Sequence, residues 1–321
     1  MKLEFSDIQK ITFGAQRILK TGNGILFRRM PEKVENAFAD HREVFRTRAQ
    51  STAGVRFDFV TDSEYIRIKY SDITDGAHGV YYSFDVFEND KLVYTHFDRS
   101  DNKKTGEFCV PLNKGSRVRV FFPNLASPEI SAVELSDKSH VTPFLPKKKL
   151  LCFGDSITQG YFALCPSASY VNRIVSMLDA DVRNIGVGAG HFFEAAVERI
   201  DGFDPDIITV AYGTNDWNGD RILFEPRCKD FMKKLDRVYN GKRICVILPL
   251  WRSDYKEVKE KTGDFFSHCA FIRTQAEKYG FTVIDGLDLM PHDEALCFGD
   301  GLHPNDAGFA HYAQNLIKYI K

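Results

Sequence analysis

The sequence predicts an α/β half built on a doubly wound parallel sheet, preceded by an all-β sandwich or jelly roll. Two observations carry this. Through residue 142, apolar and polar side chains alternate with period two between short polar turns. That is the pattern of half-buried antiparallel strands. From residue 150 onward, near-continuous apolar runs of strand length alternate with helical patterns. Strands covered on both faces by helices read this way. The predicted division is a β domain over 1–142, a linker over 143–149 and a second domain over 150–321.

The elements follow in order. Val55, Phe57 and Phe59 alternate with Arg56 and Asp58, and Ile66, Ile68 and Tyr70 with Arg67 and Lys69. Tyr82, Phe84 and Val86 lead to a turn at "ENDK" (88–91) and the run "LVYTHF". Val118, Val120 and Phe122 alternate with Arg117 and Arg119. The aromatics Phe57, Phe59, Tyr81, Tyr82 and Phe84 suit core packing, so this part is expected to brace the second domain. "TPFLPKKKL" (142–150), with two prolines and three lysines, is predicted to be a solvated linker. Then come five strand candidates: "KLLCF", "VRNIGV", "DIITVAY", "RICVILPL" and "FTVIDGL". Val171, Ile174, Val175 and Leu178 mark one helix face, and Phe265, Cys269, Ile272, Ala276 and Tyr279 a second. Phe309, Tyr312, Leu316 and Ile320 mark the last.

Composition narrows the partners. A formal net charge of −1 over 321 residues gives no electrostatic reason to expect nucleic acid or an anionic membrane. Met1 to Asp7 holds no apolar stretch of the secretory type, and no run is apolar enough to span a bilayer. The seven cysteines are scattered without a C-x-x-C pair. Reduced thiols and a cytoplasmic location are therefore expected.

The chemistry starts at "LLCFGDSITQG" (150–160), where the first apolar run gives out. Ligands of such sheets bind beyond the carboxyl ends of the strands, so Ser156 is placed to act as a nucleophile. A serine hydroxyl needs a base and something to orient that base. "GDGLHPNDAG" (299–308) offers both, with His303 three residues after Asp300. One compact loop is expected to hold Asp300 against Nδ1–H and leave Nε2 for Ser156. An oxyanion needs fixed donors. "YGTNDW" (212–217) offers Asn215, "NIGVGAG" (184–190) offers a backbone N–H, and Ser156 offers its own N–H.

These blocks, GDSI, NIGVGAG, GTND and DGLHP, stand in this order at the ends of the first, second, third and fifth strands. Over residues 149–321 the sequence resembles the SGNH hydrolases, also called the GDSL esterase/lipase family. The resemblance implies a flavodoxin-like three-layer fold, Ser156 as nucleophile, His303 as base, Asp300 as orienter and Asn215 as oxyanion donor. Ile157 stands where the name-giving motif has leucine. The family's oxyanion glycine commonly lies five residues after the asparagine, which lands on Ala189. The flanking Gly188 and Gly190 are the preferred donors, with Ala189 as the third. The two-domain layout resembles carbohydrate esterases that carry an N-terminal jelly roll. Some of those lack the acid of the triad, but this chain has Asp300.

Five further residues are expected near substrate. Asp155 is read chiefly as structuring its loop. Tyr161, Trp217 and Trp251 are candidates to border the cleft, as is Phe162. Cys165 is expected to pack, and His191, His268, His292 and His311 have no assigned role. No two histidines lie three or four apart, and no G-x-G-x-x-G follows the first strand. No metal site, dinucleotide or other cofactor is therefore expected. The sequence thus points to a serine esterase acting on small O-acyl esters, acetylated sugars first. A lipid or thioester acyl hydrolase and a non-catalytic carbohydrate-binding protein are the rivals.

Overall fold

The computed structural model describes residues 1–75, 81–99 and 104–321. The first part contains two antiparallel sheets packed face to face. One has the order 12–13, 56–61, 116–121, 81–88, 91–99, with Val141–Pro143 also pairing with Arg56–Thr61. The other has the order 17–20, 25–28, 126–135, 65–75, 106–111. Phe57, Phe59, Tyr82 and Phe84 lie in the apolar layer between them, which is why these strands alternate. Tyr81 points outward and is exposed.

The second part is a five-stranded parallel sheet in the order 180–184, 148–154, 207–211, 243–247, 282–284. This is the flavodoxin-like order 2-1-3-4-5. Within the central strands, neighbouring residues serve opposite cores. Leu151, Phe153, Ile208, Val210, Ile244 and Val246 face one side. Leu150, Cys152, Ile207, Cys245 and Ile247 face the other, where helices Tyr170–Leu178 and Asp306–Ile320 pack. Burial on both faces explains the unbroken apolar runs.

The first side departs from a simple alternation of strands and helices. Between the second and third strands lies a single 3₁₀ turn, Glu194–Ala196, and no α-helix. The helices Glu32–His41 and Glu43–Gln50, from within the predicted β domain, pack there instead. Their Val34, Phe38, Phe45 and Ala49 join the same cluster as the sheet residues. Helices Arg221–Val238 and Phe265–Glu277 complete that layer. Of the predicted linker, Pro143 closes one strand and Lys148–Lys149 begin the next. Among the described residues no helix is long and apolar enough to cross a membrane.

Phe38 is almost wholly buried in this shared layer. Phe38→Ala is therefore expected to destabilise the protein by roughly 3–5 kcal/mol. Chemical unfolding followed by tryptophan fluorescence checks this. A loss below about 1 kcal/mol would mean that the helix pair does not help to hold the sheet.

Candidate active site

Ser156 opens the short helix Ser156–Gln159 directly after the first parallel strand. Asp155 caps that helix, its Oδ1 accepting the Ile157 N–H at 3.0 Å. Gly160 ends it at φ +101°, a conformation open to glycine without cost. The Ser156 hydroxyl lies 2.8 Å from His303 Nε2.

His303 is delivered by a loop clamped at its base. The Phe298 N–H donates to the His303 carbonyl at 2.7 Å, and the Asn305 amide Nδ2–H donates to the Ala295 carbonyl at 2.8 Å. Asn305 also caps the last helix, accepting from the N–H groups of Ala307 and Gly308. At the loop's tip, Asp300 Oδ2 lies 2.6 Å from His303 Nδ1. Its Oδ1 accepts the N–H groups of Leu302 and His303 at 2.9 and 3.0 Å. Burial works to raise the Asp300 carboxyl, but these hydrogen bonds outweigh it and hold the group below the usual carboxylate range. An ionised carboxylate only accepts, so His303 Nδ1 carries the proton and Nε2 is left to accept from Ser156. The loop thus fixes the tautomer.

The donor side is equally specific. Asn215 sits on the short helix Thr214–Trp217 after the third strand. Its amide donates to the Gly190 carbonyl at 2.9 Å, leaving its second N–H. The buried His268 steadies this turn, its Nε2–H donating to the Gly213 carbonyl at 3.0 Å. Burial pushes the His268 imidazole down to about 4, so it is neutral. In the second block the preferred glycines are already engaged. The Gly188 N–H donates to Gln159 Oε1 at 2.7 Å and the Gly190 N–H to the Val187 carbonyl at 2.8 Å. Of the three, the Ala189 N–H alone has no acceptor among the described residues. These hydrogen bonds leave the Ala189 N–H, rather than that of Gly188 or Gly190, free to meet a ligand. Ala189 stands at φ +59°, a left-handed conformation that costs a non-glycine residue roughly 1 kcal/mol.

The aromatic expectations divide. Trp217 is fully buried, its Nε1–H donating to the Gly263 carbonyl and its ring set edge-on to Phe265. Trp251 is buried against His292 and Tyr255. Neither indole presents a face to a ligand: Arg252, Lys259 and Phe265 cover Trp217, and Tyr255 and His292 cover Trp251. Tyr161 does reach the site, its ring stacked 6.1 Å from the His303 imidazole. Phe162 meets the same imidazole edge-on at 5.0 Å, and it stacks on Phe298 at 4.0 Å. Phe162 and Phe298 remain 36% and 50% exposed, so this pair forms an apolar wall beside His303. Phe298 was not anticipated; its place within the histidine loop was the available signal.

Asp155 does not reach outward; it is buried beneath the site. Burial pushes its carboxyl up to about 7, opposed by the Ile157 N–H and reinforced by the nearby Asp216 charge. Cys165 packs with its thiol pushed up to about 11 by burial. His191 Nδ1 lies 3.3 Å from the buried Asp216. Among the described residues no three His, Cys, Asp or Glu side chains gather as a metal site requires.

Residues 152–311 match the model of the GDSL-like lipase/acylhydrolase family. No curated protein sequence gives a significant match. Several solved structures share the fold. The salicylyl-acyltransferase SsfX3 from a tetracycline biosynthetic pathway aligns with a TM-score of 0.82 at 19% identity, over 96% of this chain and 93% of that one. An acetyl xylan esterase, Est2A, from the rumen bacterium Butyrivibrio proteoclasticus aligns at 0.64 and 16%, over 100% and 97%. A family two carbohydrate esterase from Cellvibrio japonicus aligns at 0.63 and 14%, over 97% and 94%. At such identities the likeness is one of fold.

The raised Asp155 carboxyl has a measurable consequence. An acid whose native value is about 7, against roughly 3.9 unfolded, keeps its proton in the native state between those limits. The stability due to that proton is lost as pH rises through this window. Asp155→Asn retains an acceptor for Ile157 and cannot ionise. Its melting temperature is expected to fall less than that of the wild type between about pH 4 and 7. Parallel melting curves across that range would contradict the assignment.

Proposed function

The chain belongs to the GDSL-like lipase/acylhydrolase family through residues 152–311, and from that premise we propose a serine esterase that removes small O-acyl groups, acetyl first, from sugars or oligosaccharides. The observation that carries the reading is the continuous chain from Ser156 Oγ through His303 to Asp300, with contacts of 2.8 and 2.6 Å.

In this reading Ser156 Oγ attacks the ester carbon while its proton passes to His303 Nε2. The carbonyl π electrons move to oxygen, and the N–H groups of Ser156, Ala189 and the Asn215 amide receive that charge. Asp300 stabilises the imidazolium without taking the proton. Collapse breaks the acyl–oxygen bond, and His303 returns the proton to the departing alcohol. Water then attacks the acyl-enzyme, giving a proton to Nε2. The second collapse releases the acid and restores the Ser156 hydroxyl.

Since His303 protonates the leaving oxygen, the alcohol lies on its side of the cleft, against Phe162 and Phe298. An exposed ring pair suits the apolar face of a sugar. The carbohydrate esterases among the structural relatives are consistent with this choice. The acyltransferase among them raises one question, whether an alcohol can replace water at the second step.

Ser156→Ala is expected to lower kcat for p-nitrophenyl acetate roughly 10⁴- to 10⁶-fold, and Asp300→Asn roughly 10⁴-fold. Variants retaining wild-type rates would remove the proposal. Acetate should be preferred to octanoate across a p-nitrophenyl series, and acetate should be released from acetylated xylo- or manno-oligosaccharides. A preference for octanoate would instead support a lipid acyl hydrolase. Phe298→Ala is expected to raise KM for the acetylated oligosaccharide by up to about tenfold, the equivalent of about 1.5 kcal/mol of aromatic contact. An unchanged KM would separate the wall from alcohol binding.

A further inference from the structure

Arg48 lies in the helix Glu43–Gln50, more than 100 residues before the nucleophile, in a stretch without any catalytic motif. Its side chain is buried. Its Nη1–H donates to the Gly188 carbonyl at 2.7 Å. That carbonyl shares one peptide unit with the Ala189 N–H. The described chain has no cis peptide bond, so the two groups point in opposite directions. A hydrogen bond that fixes the Gly188 carbonyl toward Arg48 therefore turns the Ala189 N–H to the other side. A later carbonyl of the turn, that of Gly190, accepts from the Asn215 amide.

The preceding peptide is held as well. Gln159 Oε1 accepts the Gly188 N–H, and the Gln159 amide donates to the Arg48 carbonyl at 3.2 Å and to Ser51 Oγ at 2.9 Å. A second buried guanidinium, Arg29, donates to the carbonyls of Arg48, Ser51 and Asn184. Among the described residues, neither arginine lies in an ion pair. Two buried guanidinium groups thus grip carbonyls at each end of the second block, Arg29 at Asn184 and Arg48 at Gly188. Ala189 needs such support, since its left-handed conformation is unfavourable and a flipped peptide would relieve it.

We infer that Arg48 is a positioning residue: it grips the Gly188 carbonyl and so holds the Ala189 N–H aimed at the oxyanion. The inference rests on the esterase reading above. A guanidinium on the carbonyl also polarises the peptide and strengthens its N–H as a donor. The helix pair of the first half is then part of the catalytic apparatus as well as a cover for the sheet.

The test compares wild type, Arg48→Met and Arg48→Lys in the full chain. The readouts are kcat and KM for p-nitrophenyl acetate, the affinity of a boronic acid that forms a tetrahedral serine adduct, and the melting temperature. In Arg48→Met, kcat is expected to fall about 10- to 100-fold with KM within about twofold, because one donor is misaimed rather than removed. The boronate affinity should fall in parallel with kcat, and Arg48→Lys should lie between. A folded Arg48→Met with wild-type kcat overturns the inference. So does a loss confined to KM, or a lower melting temperature with intact boronate affinity. If Arg48→Met does not fold, Arg48→Lys decides by the same readouts. A wild-type protein without Ser156-dependent hydrolysis would sink the esterase reading itself, and that is seen before any Arg48 variant is measured.

Discussion

The hydrogen bond between Ser156 Oγ and His303 Nε2 joins residues 147 positions apart, and the surrounding architecture serves to keep those two atoms in register. Ser156 leaves the first parallel strand on a short helix capped by Asp155. His303 arrives from a loop tied off by Phe298 and Asn305. Both lie at the carboxyl edge of one sheet, where the winding reverses between the first and third strands. Without that edge the hydroxyl is only an alcohol and the imidazole only a weak base in water.

The same constraint gives meaning to the junction between the two parts. Sheet strands here need cover on both faces, and residues 185–206 between the second and third strands, although Phe192, Val197 and Ile200 join the apolar cluster, supply no α-helical cover. The helices Glu32–His41 and Glu43–Gln50 do, through Phe38, Phe45 and their neighbours. Polar contacts follow the same seam: Arg117 bridges Asp58 and Asp179, and Arg56 donates to the Ala180 carbonyl. Arg56 also pairs with the buried Asp58 at 3.2 Å, so the cation on the seam is balanced by a carboxylate. The arrangement therefore ties the halves to one geometry.

Legibility in the sequence followed physical cause. The five parallel strands could be read because burial on both faces leaves no polar positions. The meeting of Ser156, His303 and Asp300, and the place of Asn215 beside the second block, could be read because the proposed chemistry fixes residue type and spacing. Helix Arg221–Val238 was not read, although Phe224, Cys228, Phe231, Met232 and Leu235 follow a helical period; Pro226 and many charges obscured it. Helices 32–41 and 43–50 are short and charged, and their apolar face is explained only by a sheet more than 100 residues away. Trp217 and Trp251 misled because an aromatic near a strand end reads alike whether buried or exposed. Ala189 was ranked behind two glycines, and only the hydrogen bonds of its neighbours reversed the order.

The central claim is that one hydroxyl, one imidazole and three donors converge on a single carbonyl position. A crystal structure after reaction with a fluorophosphonate addresses it directly. The account expects phosphorus bonded to Ser156 Oγ, with one phosphoryl oxygen within hydrogen-bond reach of the Ser156 and Ala189 N–H groups and the Asn215 amide. A label on another residue, or a phosphoryl oxygen turned away from all three donors, would contradict it.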